Sequence, residues 1–181
     1  MNKTMKKNFK TKLHLACGTD DLCPVIQFVI FEDGNAVCTD AHMLVKQSLT
    51  LHDFTPEEVA IMNGKALHMD KFKEVLRYQF VEAKEEGLQC EKGAVNVLIK
   101  WSDLDGIYPR YKEVIPKEGQ GCAVQRIGMS LKLLAKLKDI AINENIGAEL
   151  YFHGDSRAVI VTTVTGGFTD ELIMVMPVAL K

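Results

Sequence analysis

The sequence predicts an α+β fold in which antiparallel strands outnumber helices. Three observations lead to this prediction: short apolar runs separated by turn residues, helices preceded by cap residues, and an order of elements that recurs along the chain. The formal net charge is only −2, and 47% of the 181 residues are hydrophobic. This composition is ordinary for a folded globular protein and excludes extensive disorder.

The first segment, up to about residue 51, predicts strands joined by turns. Alternating polar and apolar residues predict a strand at 12–17, and an apolar run predicts a buried strand at 25–31. Asp33-Gly34 is a hairpin signal, and further strands are expected at 36–38 and 43–45. We therefore expect a small antiparallel sheet in this segment.

The second segment, from about residue 55 to 116, predicts helices and strands together. Thr55 followed by Pro56 is a typical helix start, because threonine caps the helix and proline fits its first turn. After a short strand at 66–69, Asp70 is expected to cap a second helix. Three strands then follow, at 80–83, 88–92 and 94–101.

The third segment, from about residue 124 to 181, repeats that order at a spacing of about 60 residues. A strand at 125–129 precedes a helix that Ser130 is expected to cap. The residues expected to face inward are Leu131, Leu134, Leu137 and Ile140, and three strands follow, at 149–152, 158–164 and 172–180. Each strand–helix–three-strand unit leaves one apolar sheet face that another unit must cover. Two copies of the unit, packed as pseudo-symmetric halves, would cover that face.

The composition also limits the classes of function. No apolar run approaches the ~20 residues that span a bilayer, and no apolar stretch follows the basic N-terminus, so we expect a cytoplasmic protein without a membrane partner. The five cysteines form no CxxC motif, which argues against a disulfide framework. The spacing of His14, Cys17 and Cys23 matches no standard zinc pattern. We therefore expect neither a metal nor a cofactor.

Three short strings carry a more specific signal: Cys-Thr-Asp-Ala-His-Met-Leu-Val at 38–45, Gly-Ile-Tyr-Pro-Arg-Tyr-Lys-Glu-Val-Ile-Pro at 106–116, and Met-Val-Met-Pro-Val-Ala-Leu at 174–180. Together they resemble the beta subunit of bacterial DNA polymerase III, the sliding clamp. That family carries Ala-Thr-Asp-Gly-His-Arg-Leu, then Phe-Pro-Asp-Tyr, and a tail of the Met-Pro-Met-Arg-Leu type. The resemblance implies a truncated DNA-clamp-like fold, with helices on one face of antiparallel sheets and no counterpart of the clamp's first domain. It also implies a domain at 1–117 like the clamp's middle domain, with a degenerate half 1–55 and a second half 56–117. Residues 122–181 would then be a half-domain like the second half of the clamp's last domain. Ala41 and Met43 replace the family's Gly and Arg, which leaves ring formation open.

The resemblance further implies a hydrophobic groove that holds short linear motifs of DNA polymerases and other DNA enzymes. The matching positions are Ile26, Thr39, Asp40, His42, Leu44, Pro109, Val114, Met174, Met176 and Pro177. Methionines with aliphatic neighbours make an adaptable apolar surface, and a few polar groups fix a ligand's orientation. The alternative is that Met174, Met176 and Val114 are ordinary core residues of closing strands, and both interpretations remain open.

The resemblance also implies helices that face double-stranded DNA and contact its phosphates without reading sequence. The candidates are two pairs of cations four residues apart, Lys73 with Arg77 and Lys132 with Lys136. Basic stripes at equivalent positions of the repeat are what the inner wall of a clamp would require. The alternative is an ordinary solvated helix face, which lysine often supplies.

From these observations we expect a non-catalytic, sliding-clamp-like accessory protein of DNA replication or repair. Cys38 and Thr39 cannot both face His42 from a strand, because neighbouring side chains point to opposite faces, and we assign no catalytic residue. Two alternatives are a clamp-derived peptide-binding adaptor that does not encircle DNA, and an unrelated α+β enzyme with a polar pocket near Asp40 and His42. The unpaired half-module also predicts a homo-oligomer, because an uncovered sheet edge promotes association.

Overall fold

The computed structural model describes residues 7–116, 122–143, 147–154, 156–163 and 170–179. The strands in these ranges are β1 Phe28–Glu32, β2 Asn35–Thr39, β3 Met43–Ser48, β4 Ala66–His68, β5 Phe80–Lys84, β6 Gly87–Lys92, β7 Val95–Lys100, β8 Glu149–Tyr151, β9 Val159–Thr162 and β10 Glu171–Val175. The α-helices are α1 Pro56–Met62, α2 Met69–Val75 and α3 Leu131–Ile140. Short 3-10 helices lie at Leu13–Ala16, Pro24–Gln27, Leu49–His52 and Tyr111–Glu113. None of the described helices has the length and apolar character needed to cross a membrane.

The strands form two antiparallel sheets, one in the order β4-β1-β2-β3-β10-β9-β8 and one in the order β5-β6-β7. This arrangement confirms the predicted α+β fold class. The contact between β3 and β10 runs over five residue pairs, from Gln47 with Glu171 to Met43 with Val175. One sheet therefore contains strands of both predicted domains, 1–117 and 122–181. The boundary between them, at 117–121, lies outside the described residues, and the division into domains stays a prediction.

The central strands of the seven-stranded sheet are buried on both faces. Along β3, Met43 and Val45 belong to one apolar core and Leu44 belongs to a second core, because successive side chains point to opposite faces. The first core also contains Phe72 of α2 and Ile140 of α3, so these helices cover the first face. This double burial explains why the strands are nearly continuous apolar runs.

A shorter segment, at 104–115, covers the second face. Its Tyr111 is buried in the second core, and Leu104, Tyr108 and Ile115 pack against that core. The Tyr111 hydroxyl donates a 2.8 Å hydrogen bond to a carboxylate oxygen of Glu32 on β1. Burial, followed by this bond to Glu32, raises the pKa of Tyr111. The neutral phenol therefore attaches the segment to the sheet.

The first two helices begin close to the predicted positions. Thr55 and Glu58 form a capping box, in which each side chain accepts a hydrogen bond from the other's backbone N–H. The predicted cap of α2 is wrong by two residues: His68 is the cap, and its Nδ1 accepts a 3.3 Å hydrogen bond from the backbone N–H of Asp70. Asp70 lies instead in the first turn, where the helix dipole favours a carboxylate.

Three other local predictions are wrong. Residues 12–17 contain the 3-10 helix Leu13–Ala16 rather than a strand, and its two terminal residues are fully buried because positions i and i+3 share a side. The strand predicted at 125–129 is reduced to one bridge, between Gly128 and Val178. Leu131 was expected to face inward but is 81% exposed, since α3 is buried at its other end, at Ile140.

A buried polar network fixes β3 against β10 and α3. The side-chain oxygen of Gln47 accepts a 2.8 Å hydrogen bond from Thr11, and its nitrogen donates to the Ile140 carbonyl at 2.7 Å and to Glu171 at 2.9 Å. Glu171 also accepts hydrogen bonds from the backbone N–H and hydroxyl of Thr163, at 2.7 and 2.6 Å. Such satisfied bonds are what allows polar groups to be fully buried. The network fixes the register of the two strands that carry the site described below.

Candidate functional site

A groove of about 650 Å³ opens on the second face of the seven-stranded sheet. Its floor includes Leu44 of β3 and Met174 of β10, which are directly paired across the two strands, and Ala158 just before β9. All three are buried, so the floor is apolar. The groove is lined by Ile26, Thr39, Ala41, His42, Met43, Leu44, Pro109, Arg110, Tyr111, Glu113, Val114, Ile115, Pro116, His153, Ser156, Arg157, Ala158, Met174 and Met176.

One side of the groove is the tight turn between β2 and β3. The Thr39 hydroxyl donates a 2.7 Å hydrogen bond to the Met43 carbonyl, and an oxygen of Asp40 accepts from the backbone N–H groups of His42 and Met43, at 3.0 and 2.7 Å. The Met176 backbone N–H donates to the His42 carbonyl at 2.8 Å. These bonds hold exposed His42 and partly exposed Met176 side by side at the rim.

Another side of the groove is formed by the segment that covers the second sheet face. Tyr111 attaches it to β1, and the Tyr108 hydroxyl donates a 3.4 Å hydrogen bond to the Phe28 carbonyl. Val114, directly after the 3-10 helix, keeps 59% of its surface exposed, although it belongs to an anchored segment. An exposed apolar side chain on a fixed wall is suited to contact a ligand.

The structure brings together eight of the ten residues predicted for the groove, namely Ile26, Thr39, His42, Leu44, Pro109, Val114, Met174 and Met176. Asp40 and Pro177 do not line it. The second oxygen of Asp40 accepts a 2.9 Å hydrogen bond from Lys136 of α3. Pro177 lines a neighbouring cavity of about 800 Å³, with residues 123–126 and 178–179, and Ser156 borders both cavities.

The four cations predicted to face DNA are in different environments. Lys73, Arg77 and Lys132 are exposed, and none of the three forms an ion pair with a residue in the described ranges. Lys136 is only 22% exposed and is paired with Asp40. Arg77 lies beyond the end of α2, in the following turn. The two helices that carry the other cations, α2 and α3, both contact the 3-10 helix Leu13–Ala16. Three of the four cations are thus available to a ligand, and the fourth attaches α3 to the turn between β2 and β3.

Sequence reasoning missed four residues of the groove lining, His153, Ser156, Arg157 and Ala158. His153 is 8% exposed, and its Nδ1 has no hydrogen-bond partner among the described residues. Ala158 and Arg157 enter the groove because β9 pairs with β10, next to Met174. The alternation of side chains along a strand predicts which residues of 158–161 share a face of the sheet. The sequence does not say which other strand lies beside this one.

The described residues contain no cluster of metal ligands, and the Cys38 thiol is not activated as a nucleophile. No group of three or more His, Cys, Asp or Glu side chains in those ranges is placed to hold a metal ion. Cys38 is fully buried, and its thiol donates a 3.2 Å hydrogen bond to the Leu13 carbonyl. Burial, together with neighbouring Cys17, raises the pKa of the Cys38 thiol, which keeps it protonated.

Comparison by sequence finds nothing: no protein-family model and no curated protein matches the chain. Comparison by structure finds bacterial DNA sliding clamps. The clamp of Pseudomonas aeruginosa matches with a TM-score of 0.65 and 14% identity, over 94% of this chain and 62% of the clamp. The DNA polymerase III subunit beta of Borrelia burgdorferi gives 0.65 and 14%, over 98% and 63%. The Helicobacter pylori beta clamp, solved with a DNA ligase peptide, gives 0.61 and 12%, over 97% and 65%.

The chain thus spans less than two-thirds of the length of each of these clamps. At such low identity the likeness concerns the fold and not the activity or the partners. Nearly all of the chain is included in the match, and the antiparallel sheets agree with the fold class that the sequence predicted. The chain therefore has the fold of the bacterial DNA sliding clamp.

Proposed function

We propose that the chain is a sliding-clamp-like accessory protein that holds short linear segments of DNA-replication or repair enzymes in the groove. The observation that carries this proposal is the convergence of eight predicted residues, distant in sequence, on one cavity with an apolar floor and polar groups at its rim. The Helicobacter pylori clamp bound to a DNA ligase peptide supports it, because a protein of this fold can hold such a segment.

The groove is suited to bind one or two apolar anchors weakly. Met176 and Val114 are 37% and 59% exposed, so an inserted side chain would remove apolar surface of both from water. Burying one leucine-sized side chain stabilises a complex by about 1.5–3 kcal/mol. Two anchors supply about 3–6 kcal/mol before the loss of freedom on binding is subtracted, which predicts a Kd of tens of micromolar or weaker, on the order of magnitude.

The proposal is tested by fluorescence anisotropy with a labelled clamp-binding peptide of a DNA ligase. The Met176→Asp variant places a carboxylate at the apolar rim, and desolvating it should weaken binding by about tenfold or more. The matched control is Val95→Asp on β7, which adds the same charge at a 53% exposed valine outside the groove.

The control variant should bind the peptide like the wild type. Unchanged binding by Met176→Asp, or an equal loss in both variants, would reject the groove as the binding site. Absence of any binding by the wild-type chain would reject the proposed function itself. Circular dichroism spectra of the three proteins show whether each substitution leaves the fold intact.

Contact with DNA and self-association stay predictions from the sequence. Exposed Lys73, Arg77 and Lys132 are the cations that phosphates could reach, and Lys136 would first have to leave Asp40. The adaptor that does not encircle DNA uses the same groove and differs only in these two properties. Light scattering on a sizing column separates the alternatives, because a monomer cannot close a ring by itself.

A further inference from the structure

The charges around the groove are unevenly compensated. Glu113, a carboxylate of the groove lining, lies 3.5 Å from the guanidinium of Arg110. Asp40, next to the lining, is paired with Lys136 at 2.9 Å. Arg157 is exposed at the rim and forms no ion pair with any residue of the described part of the chain. Beside an apolar floor, Arg157 is therefore a cation that no carboxylate of the described residues compensates.

Arg157 is also held close to the site by the backbone around it. It directly precedes Ala158, a buried residue of the floor. Its aliphatic stem runs along Gly154, where an added Cβ would lie 3.6 Å from the Arg157 Cγ. Gly154 has a φ of +136°, a conformation that side-chain-bearing residues rarely adopt, so the backbone beside the Arg157 stem takes a shape that favours glycine. A packed stem reduces the freedom that the guanidinium loses when it binds a ligand.

We propose that Arg157 selects peptides that carry an aspartate or glutamate beside their apolar anchors. This inference rests on the proposed function of the groove and adds the chemistry of its ligand. A guanidinium offers a planar set of N–H donors that fits a carboxylate through two parallel hydrogen bonds. The apolar floor excludes water on one side, so this attraction is screened less than at a fully exposed arginine. The occupant is thus an acidic–apolar linear segment.

The test is a positional scan of a fluorescein-labelled DNA ligase clamp-binding peptide. At each polar position the peptide is made once with Asp and once with Asn, two side chains of nearly equal size. At one or more positions, wild-type protein should bind the Asp peptide about three- to tenfold more tightly at low ionic strength, and added salt should reduce this preference. Arg157→Gln should abolish the preference, so that the Asp and Asn peptides bind with equal affinity.

The control is Lys92→Gln, which removes the same charge from an exposed residue of β6 outside the groove and should keep the preference. Equal affinities of the Asp and Asn peptides for the wild type at every position would overturn the role of Arg157. A preference that survives in Arg157→Gln would do the same. In both cases the groove itself would still stand, since Met176→Asp would weaken the binding of both peptides. A wild-type chain that binds neither peptide would overturn the groove and the role of Arg157 together.

Discussion

The ion pair between Asp40 and Lys136 determines both how the groove is held and whether Lys136 can contact DNA. The two side chains are 14% and 22% exposed, and Nζ lies 2.9 Å from the carboxylate. The other carboxylate oxygen accepts the backbone N–H groups of His42 and Met43. Asp40 therefore joins α3 to the turn that places His42 at the rim.

Two substitutions of Asp40 separate these contributions. Asp40→Asn keeps an oxygen for the backbone N–H groups but loses the charge, whereas Asp40→Ala loses both. Breaking a surface ion pair lowers the free energy of unfolding by under about 1 kcal/mol, and breaking a buried pair lowers it by about 3–5 kcal/mol. The loss expected for a half-buried pair such as this one lies between these two values. We expect Asp40→Asn to lower the free energy of unfolding by about 1–2 kcal/mol. Asp40→Ala should lower it by about 3 kcal/mol, since water replaces only part of the lost backbone bonds.

The assay is urea unfolding of a double-mutant cycle with Asp40→Asn, Lys136→Gln and the combined variant. The coupling free energy should be about 1 kcal/mol, because each single substitution already removes the interaction. A coupling below about 0.3 kcal/mol, the usual error of additivity, would refute this account of the turn. Lys136 would then be as free to meet phosphates as Lys132.

Two further predictions concern stability. Ala41 has a φ of +69°, a conformation that costs about 1–2 kcal/mol for a residue with a side chain. Ala41→Gly should relieve this strain but adds the backbone entropy of glycine to the unfolded state. We therefore expect a net rise of about 0.5–1 kcal/mol in the free energy of unfolding. Ala60→Gly, at an exposed position of α1, should lower the free energy of unfolding by about 1 kcal/mol. A loss of stability in both variants, measured by urea unfolding, would contradict the strain at Ala41. Burial, followed by the charge of Lys10, lowers the pKa of fully buried His52 to about 3. Between pH ~6.5 and this value only the unfolded state binds the proton, so the free energy of unfolding falls by up to about 1.4 kcal/mol for each pH unit of acidification. His52→Asn, measured by unfolding between pH 6.5 and 4.5, should be less sensitive to acid by that amount, and equal sensitivity would show that His52 does not contribute.

Local chemistry made the hairpins and helix starts predictable. Asp33 and Gly34 both have positive φ, 49° and 75°, as a two-residue turn between β1 and β2 requires, and Asp-Gly is the usual signal for that turn. Thr55 and Glu58 likewise carry their capping box within four residues. The strand predicted at 12–17 was wrong because the segment is short. Over six residues, the pattern of a strand, with a period of two, resembles that of a 3-10 helix, with a period of three.

The long-range pairings could not be derived from the residues alone. The contact of β3 with β10 joins segments at opposite ends of the chain, and the same arrangement brings Arg157 into the groove. Hydrophobic alternation says that these strands are buried but gives no partner. The predicted groove residues came instead from the order of three strings that resemble a known family. That resemblance could not foresee that Asp40 would be bound by Lys136, since the two lie in different segments.

Methyl NMR of a chain with ¹³C-labelled methionines tests the groove most directly. The chain has eight methionines; Met174 and Met176 line the groove together with Met43, and Met62 is fully buried in the first core. On titration with the DNA ligase peptide, the methyl signals of Met174 and Met176 should shift with a common Kd while that of Met62 stays in place. Unshifted signals of Met174 and Met176 at saturating peptide would contradict the claim that this groove binds linear segments.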